Sequence, residues 1–169
     1  MPAARRSEAR SVFINCPFDQ EYKKLLDALV FAVHDCGFYV CCALEFPAGE
    51  VRFQTICQLI RKCRYGIHDL SRTQLDPANG LPRFNMPLEL GLFLGAREFG
   101  PTRGPRKACL VLDTEPYRYQ KFCSDLAGID IHTHDNQSLK LVRVVRDWLQ
   151  AGQNARSRGL GRSLSRTGT

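Results

Sequence analysis

The chain has 169 residues, 44% apolar and 24% charged, with a net charge of +7. That is the size and make-up of one globular domain with a proper core. Residues 1–10 carry a net +2 and residues 151–169 a net +4, which leaves +1 for the body and argues against a folded nucleic-acid-binding face.

There are eight cysteines and no Cys-x-x-Cys pair, so the zinc spacing is absent. Several lie in apolar runs and read as small buried hydrophobes. The opening residues lack the apolar core of a secretory signal, and no run reaches membrane-span length. These features predict a cytoplasmic protein with free thiols.

The spacing divides the chain into a flexible lead (1–10), one domain (11–151) and a disordered basic tail (152–169). Ser11–Asn15 reads as a first buried strand. Cys16-Pro17-Phe18 breaks it, and Asp19 is placed to cap a helix with Tyr22, Leu25, Leu26, Leu29, Val30 and Val33 as its apolar stripe. Gly37 ends that helix. Residues 38–43 are apolar throughout, as suits a strand covered on both faces.

A loop over 45–50 leads to a second helix over 51–63, with Phe53, Ile56, Cys57 and Ile60 on one side. Residues 65–70 form a third strand ending in Asp69, followed by Ser71. The loop over 72–84 is long enough to be functional or mobile. Next comes the helix of Pro87 and Glu89, ending near Gly100, with Asn85 as its N-cap. Gly91 and Gly95 share one face of it and would admit a close neighbour. After a basic turn over 101–105, residues 107–113 form a fourth strand and 116–126 a helix. A short fifth strand covers 128–131. A last helix covers 136–150, with Leu139, Val142, Val145, Trp148 and Leu149 inward.

Strands alternating with helices predict an α/β, flavodoxin-like fold. Its five-stranded parallel sheet has the order 2-1-3-4-5 and helices on both faces. Ligands of such sheets sit beyond the carboxyl ends of the strands, where the order reverses between strands one and three. Asn15, Pro17 and Phe18 lie after strand one. Asp69, Ser71 and Arg72 lie after strand three, and the helix carrying Glu89 follows.

Glu89 is one carboxylate in an otherwise apolar helix. It either serves the helix dipole or does chemistry. A carboxylate beside an anomeric carbon can stabilise or attack the cation that forms when an N-glycosidic bond breaks. Asp69 would then hold ribose hydroxyls or position Glu89, Asn85 would bond the sugar, and Arg83 or Arg72 would hold a phosphate. Phe18 would stack on a base. Each has a plainer reading as a turn, staple or surface residue. No metal is called for: His132, His134 and Asp135 read as surface loop residues. Cys16 would need a partner histidine to be a nucleophile, and only His68 is a candidate.

Phe13-Ile14-Asn15-Cys16-Pro17-Phe18 resembles the first strand and loop of nucleoside 2-deoxyribosyltransferases, with Cys16 where that family usually has Gly. Gly66-Ile67-His68-Asp69-Leu70 is similar to their third strand. Asn85-Met86-Pro87-Leu88-Glu89-Leu90-Gly91 resembles the Asn-x-x-x-Glu-Leu-Gly motif of bacterial TIR-like domains, NAD-cleaving effectors of antiphage defence. Both resemblances imply that Glu89 is the catalytic carboxylate. They imply a TIR-like domain that hydrolyses NAD, as substrate and with no cofactor, to nicotinamide and ADP-ribose. They also imply activity as a homo-oligomer and a separate sensor protein as partner. The other readings are a nucleoside N-glycosidase or deoxyribosyltransferase and a non-catalytic nucleotide-binding or assembly module. The Arg-rich tail is the one place for RNA or an anionic surface to bind.

Overall fold

The computed structural model describes residues 9–43, 52–75, 80–101 and 106–164, the last ten of these as backbone alone. Five strands form one parallel sheet: β1 (Ser11–Asn15), β2 (Tyr39–Cys41), β3 (Tyr65–Asp69), β4 (Ala108–Asp113) and β5 (Ile131–Thr133). Their order is β2-β1-β3-β4-β5, and every pairing is parallel, as predicted. Four helices accompany it: α1 (Lys23–Asp35), α2 (Arg52–Lys62), α3 (Asn85–Glu98) and α4 (Ser138–Leu164).

Strand alternation sorts the side chains into two layers. Val12, Ile14, Tyr65, Ile67, Leu110 and Leu112 face α1 and α4, meeting Leu25, Leu29, Leu141, Val145 and Leu149. Phe13 faces the other way, against Ile56, Leu59 and Ile60 of α2 and Phe93 of α3. Helices therefore cover both faces, and this two-sided burial is why β1 and β3 are buried at every position.

Several local expectations need correction. Tyr39, at the start of the edge strand β2, is 56% exposed, so this strand is not covered on both faces. In α2 the buried stripe is Thr55, Ile56, Leu59 and Ile60, while Phe53 is exposed. Residues 116–126 form two short 3-10 turns, Arg118–Lys121 and Ser124–Leu126, rather than a helix. The left-handed backbone of Tyr117 and the extended one of Cys123 interrupt any continuous turn. The fifth strand lies two to three residues later than its prediction. In α4 Leu141 is the core residue and Leu139 is exposed. That helix also passes Gln150 and runs to Leu164, through residues read as a disordered tail. Ala, Gln, Arg and Leu there are good helix formers, and extending an existing helix avoids the cost of nucleation. The loop over 45–50, the tip 76–79 and the turn 102–105 lie outside the described residues.

Gly37 ends α1 as predicted. Its φ is 75°, its N–H bonds the carbonyl of His34, and the N–H of Phe38 bonds that of Val33. This turn delivers the chain directly into β2.

Candidate functional site

The carboxyl end of each inner strand carries a polar residue: Asn15 on β1, Asp69 on β3 and Asp113 on β4. All three are buried, as is His134 just beyond β5. Helix α3 starts above this edge. Its buried residues are Met86, Glu89, Leu90 and Phe93. That i, i+3, i+4, i+7 pattern is a core stripe with a carboxylate in one of its positions.

Glu89 is 7% exposed. Burial pushes its carboxyl up to about 7, and the field of Arg52 on α2 draws it partly back. Among the described residues no cation is close enough to form an ion pair with it. Near neutral pH it therefore divides between acid and anion, and an arriving positive charge would favour the anion.

Asp69 lies in the other layer. Its side chain shares the face of Tyr65 and Ile67, whereas Glu89 descends from α3 on the opposite face. Asp69 is fully buried. It accepts from the Tyr22 hydroxyl at 2.5 Å and from the Ser71 backbone N–H at 2.8 Å. His134 Nε2 stands 3.1 Å away, off the ideal hydrogen-bond line. His134 Nδ1 accepts the backbone N–H of Asn136, so the neutral ring carries its hydrogen on Nε2, toward Asp69. Burial alone would raise the Asp69 carboxyl. His134, Ser71 and Tyr22 together hold it below the ordinary value. Asp69 is thus engaged in tying β3 to the start of α1 and to the β5–α4 turn.

Asn15 is also engaged. Its amide donates to the carbonyl of Met86 at 2.9 Å and to His68 Nδ1 at 3.1 Å, and it is 2% exposed. Pro17 is buried beside it, and Phe18 packs against the α1–α4 core, as a staple rather than an open stacking platform. Ser71 is 3% exposed and presents its N–H to Asp69. Arg72 is ion-paired with Asp19 at 2.9 Å and with Glu21 at 2.5 Å. Asp19 also accepts the Tyr22 N–H, in a turn that precedes α1.

Arg83 and Asn85 are exposed beside the start of α3. Asn85 is not the N-cap. It is the first helical residue, and Phe84 before it already has helical dihedrals. Gly91 and Gly95 are also corrected: among the described residues a Cβ at Gly91 would meet nothing within 4 Å, and one at Gly95 only the Phe99 side chain at 3.8 Å, so no other element approaches α3 closely at either glycine. The close approach is at Gly66 instead. A Cβ there would stand 2.7 Å from the Phe93 ring and 2.8 Å from His68.

Cys16 is buried with the α1–α4 core, while His68 lies in the other layer against Phe13 and Phe93. Burial and the field of Asp69 raise the Cys16 thiol well above its ordinary value. The pair is not a nucleophile and its base. Burial lowers His68 to about 3, so its ring is neutral.

Sequence reading passed over two members of this edge. His134, read as a surface residue, is fully buried. Asp113 accepts from Arg118 at 2.8 Å (Nε), and Arg118 also bonds the Leu70 carbonyl and the Thr73 hydroxyl. The available signal was positional: both follow the pattern of one polar residue at each strand's carboxyl end. Among the described residues no group of three metal-binding side chains is found, and no helix is long and apolar enough to cross a membrane. All eight cysteines are free thiols. No protein-family model matches this sequence, and no curated protein matches it.

Proposed function

We propose that the protein is an NAD glycohydrolase, cleaving the N-glycosidic bond of NAD to give nicotinamide and ADP-ribose, with Glu89 as the catalytic carboxylate. The observation that carries this reading is a buried carboxylate with no described ion-pair partner, at the switch point of a flavodoxin-like sheet.

A neutral nucleoside needs two services: a proton for its departing base and an anion beside the ribosyl cation. One carboxylate cannot supply both at once, and Asp69 is tied up in the other layer. The nicotinamide riboside bond is already cationic and leaves without a proton. Its charge also complements Glu89, which has no ion-pair partner among the described residues. Asn15, Phe18 and Asp69 act within the fold, which leaves Arg83 and Asn85 at the rim as the substrate contacts. The raised Glu89 value is what favours the second reading, nucleoside N-glycoside cleavage, because the protonated fraction could serve as an acid. The binding-module reading predicts no turnover to lose.

The exposed side chains of Leu81, Phe84 and Leu88 around the start of α3 support self-association next to the site. Activity is then expected to rise with protein concentration. The test is chromatographic. NAD, a purine nucleoside and a deoxynucleoside are each incubated with the full chain at low and high concentration. Nicotinamide from NAD alone supports the proposal. Free base from the nucleosides, with no nicotinamide, would move the assignment to the second reading.

A further inference from the structure

We propose that Asn15 and His68 are positioning residues for Glu89: a buried amide clip, seated on two strands, that fixes where α3 begins. The inference rests on the catalytic role proposed for Glu89 above. It gives Asn15 a different task from the ligand contact expected of its place at the switch point.

The clip is built from paired positions. Asn15 and His68 are register partners at the carboxyl ends of β1 and β3. The two amide hydrogens of Asn15 meet two acceptors, the Met86 carbonyl at 2.9 Å and His68 Nδ1 at 3.1 Å. With the Asn15 amide nitrogen as donor, His68 Nδ1 is the acceptor, and the neutral ring carries its own hydrogen on Nε2. The ring cannot swing away. Phe93 stands 5.0 Å from it and Phe13 5.8 Å, both edge to face. Gly66 lies tight beneath the same two residues, His68 and Phe93. Among the described residues, buried His68 Nε2 has no hydrogen-bond partner. An unpartnered nitrogen in so apolar a place costs stability, which the bond at Nδ1 and the two ring contacts offset in part.

Met86 and Glu89 are three apart on α3 and share its buried face. Helical side chains lean toward the helix N-terminus, so the Glu89 carboxylate lies over the turn that Asn15 grips. A shift of that turn moves the carboxylate with it. Asn15 itself is 2% exposed, with both hydrogens engaged, and so has little left to offer a substrate.

The test uses the full chain, with NAD as probe. Asn15→Ala removes the clip, and His68→Leu removes its anchor. His68→Asn restores an acceptor at the same distance from the backbone. Misplacing a reacting group by an ångström costs on the order of 10²-fold in rate. Asn15→Ala and His68→Leu are therefore expected to lower kcat by about 10- to 100-fold with KM within about threefold, and His68→Asn to recover most of the loss. Backbone amides of Leu88, Glu89 and Leu90 should exchange about fivefold faster in Asn15→Ala, the worth of one hydrogen bond, while those of β4 stay unchanged.

A raised KM with kcat preserved would show that Asn15 touches substrate and would overturn the proposal. Faster exchange everywhere would do the same, by reducing the clip to general packing. If the wild-type chain releases no nicotinamide, the glycohydrolase reading fails, and the exchange measurement alone decides whether the clip fastens α3. Should the variants not fold, the wild-type side-chain amide of Asn15 settles it by NMR: slow exchange supports the clip and solvent-rate exchange refutes it.

Discussion

Glu89 occupies a place in α3 where an apolar side chain would pack at no cost. Its raised pKa has a signed consequence for stability. The folded protein holds this proton up to about pH 7, whereas the unfolded chain releases it near the ordinary carboxylate value. Stability contributed by protonated Glu89 is therefore full below the ordinary carboxylate value, and is lost as pH rises from there through about 7. Glu89→Gln removes that penalty, and is expected to stabilise the fold at pH 8 by about 1 kcal/mol or more in urea unfolding while abolishing turnover. Arg52 acts in the opposite sense. Arg52→Ala should raise the Glu89 titration midpoint, read by carboxyl carbon NMR, and a midpoint that falls would contradict the assigned field.

Among the elements, α3 and the β3 edge hold the site together, and two glycines distinguish packing from mere helix presence. Gly66→Ala drives a methyl group into Phe93 and His68, and is expected to cost about 1–3 kcal/mol by thermal or urea unfolding. Gly91→Ala meets open space on a helix, and should stabilise by about 0.5–1 kcal/mol. Asp69 joins three segments, so Asp69→Asn is expected to destabilise by about 2–4 kcal/mol. Because its folded value is depressed, its contribution is present above the ordinary carboxylate value. It is lost as pH falls through the lower folded value. The Asp69→Asn penalty should therefore shrink in acid, and a penalty that grows there would contradict the network.

The elements most readable from sequence were those with an uninterrupted apolar pattern. β1 and the topology follow from runs buried on both faces, and Gly37 from the left-handed turn it must supply. What escaped depends on distant partners. Residues 116–126 have helical spacing, but Arg118 is drawn onto Asp113 and Tyr117 adopts a left-handed backbone. Asn85 has cap chemistry, but Phe84 is already helical. Asp69 and Glu89 look like neighbours along the chain's polar edge. Strand alternation puts them in different layers, and that follows from Asp69 sharing parity with Tyr65 and Ile67. His134 does lie in a loop, but its burial was not legible because its partner lies 65 positions away, at Asp69.

For the whole molecule, the described contacts of α4 with the core end near Gln153, whose amide bonds the Cys36 carbonyl, and Gly152, packed on Tyr65. Ending the chain after Asn154 keeps Leu141, Val145 and Leu149 in place. That truncation is expected to leave nicotinamide release unchanged, and to weaken any salt-sensitive binding of RNA or anionic vesicles through the Arg-rich tail. Loss of release on truncation would tie the tail to the site.

The most direct test of Glu89 as the catalytic carboxylate is the pH dependence of nicotinamide release from NAD by the wild-type chain and by Glu89→Gln. The account predicts that wild-type kcat/KM rises through a single limb near pH 7, as Glu89 becomes anionic, and that the variant shows no release at any pH. Release by Glu89→Gln at the wild-type rate, with the limb unmoved, would contradict it.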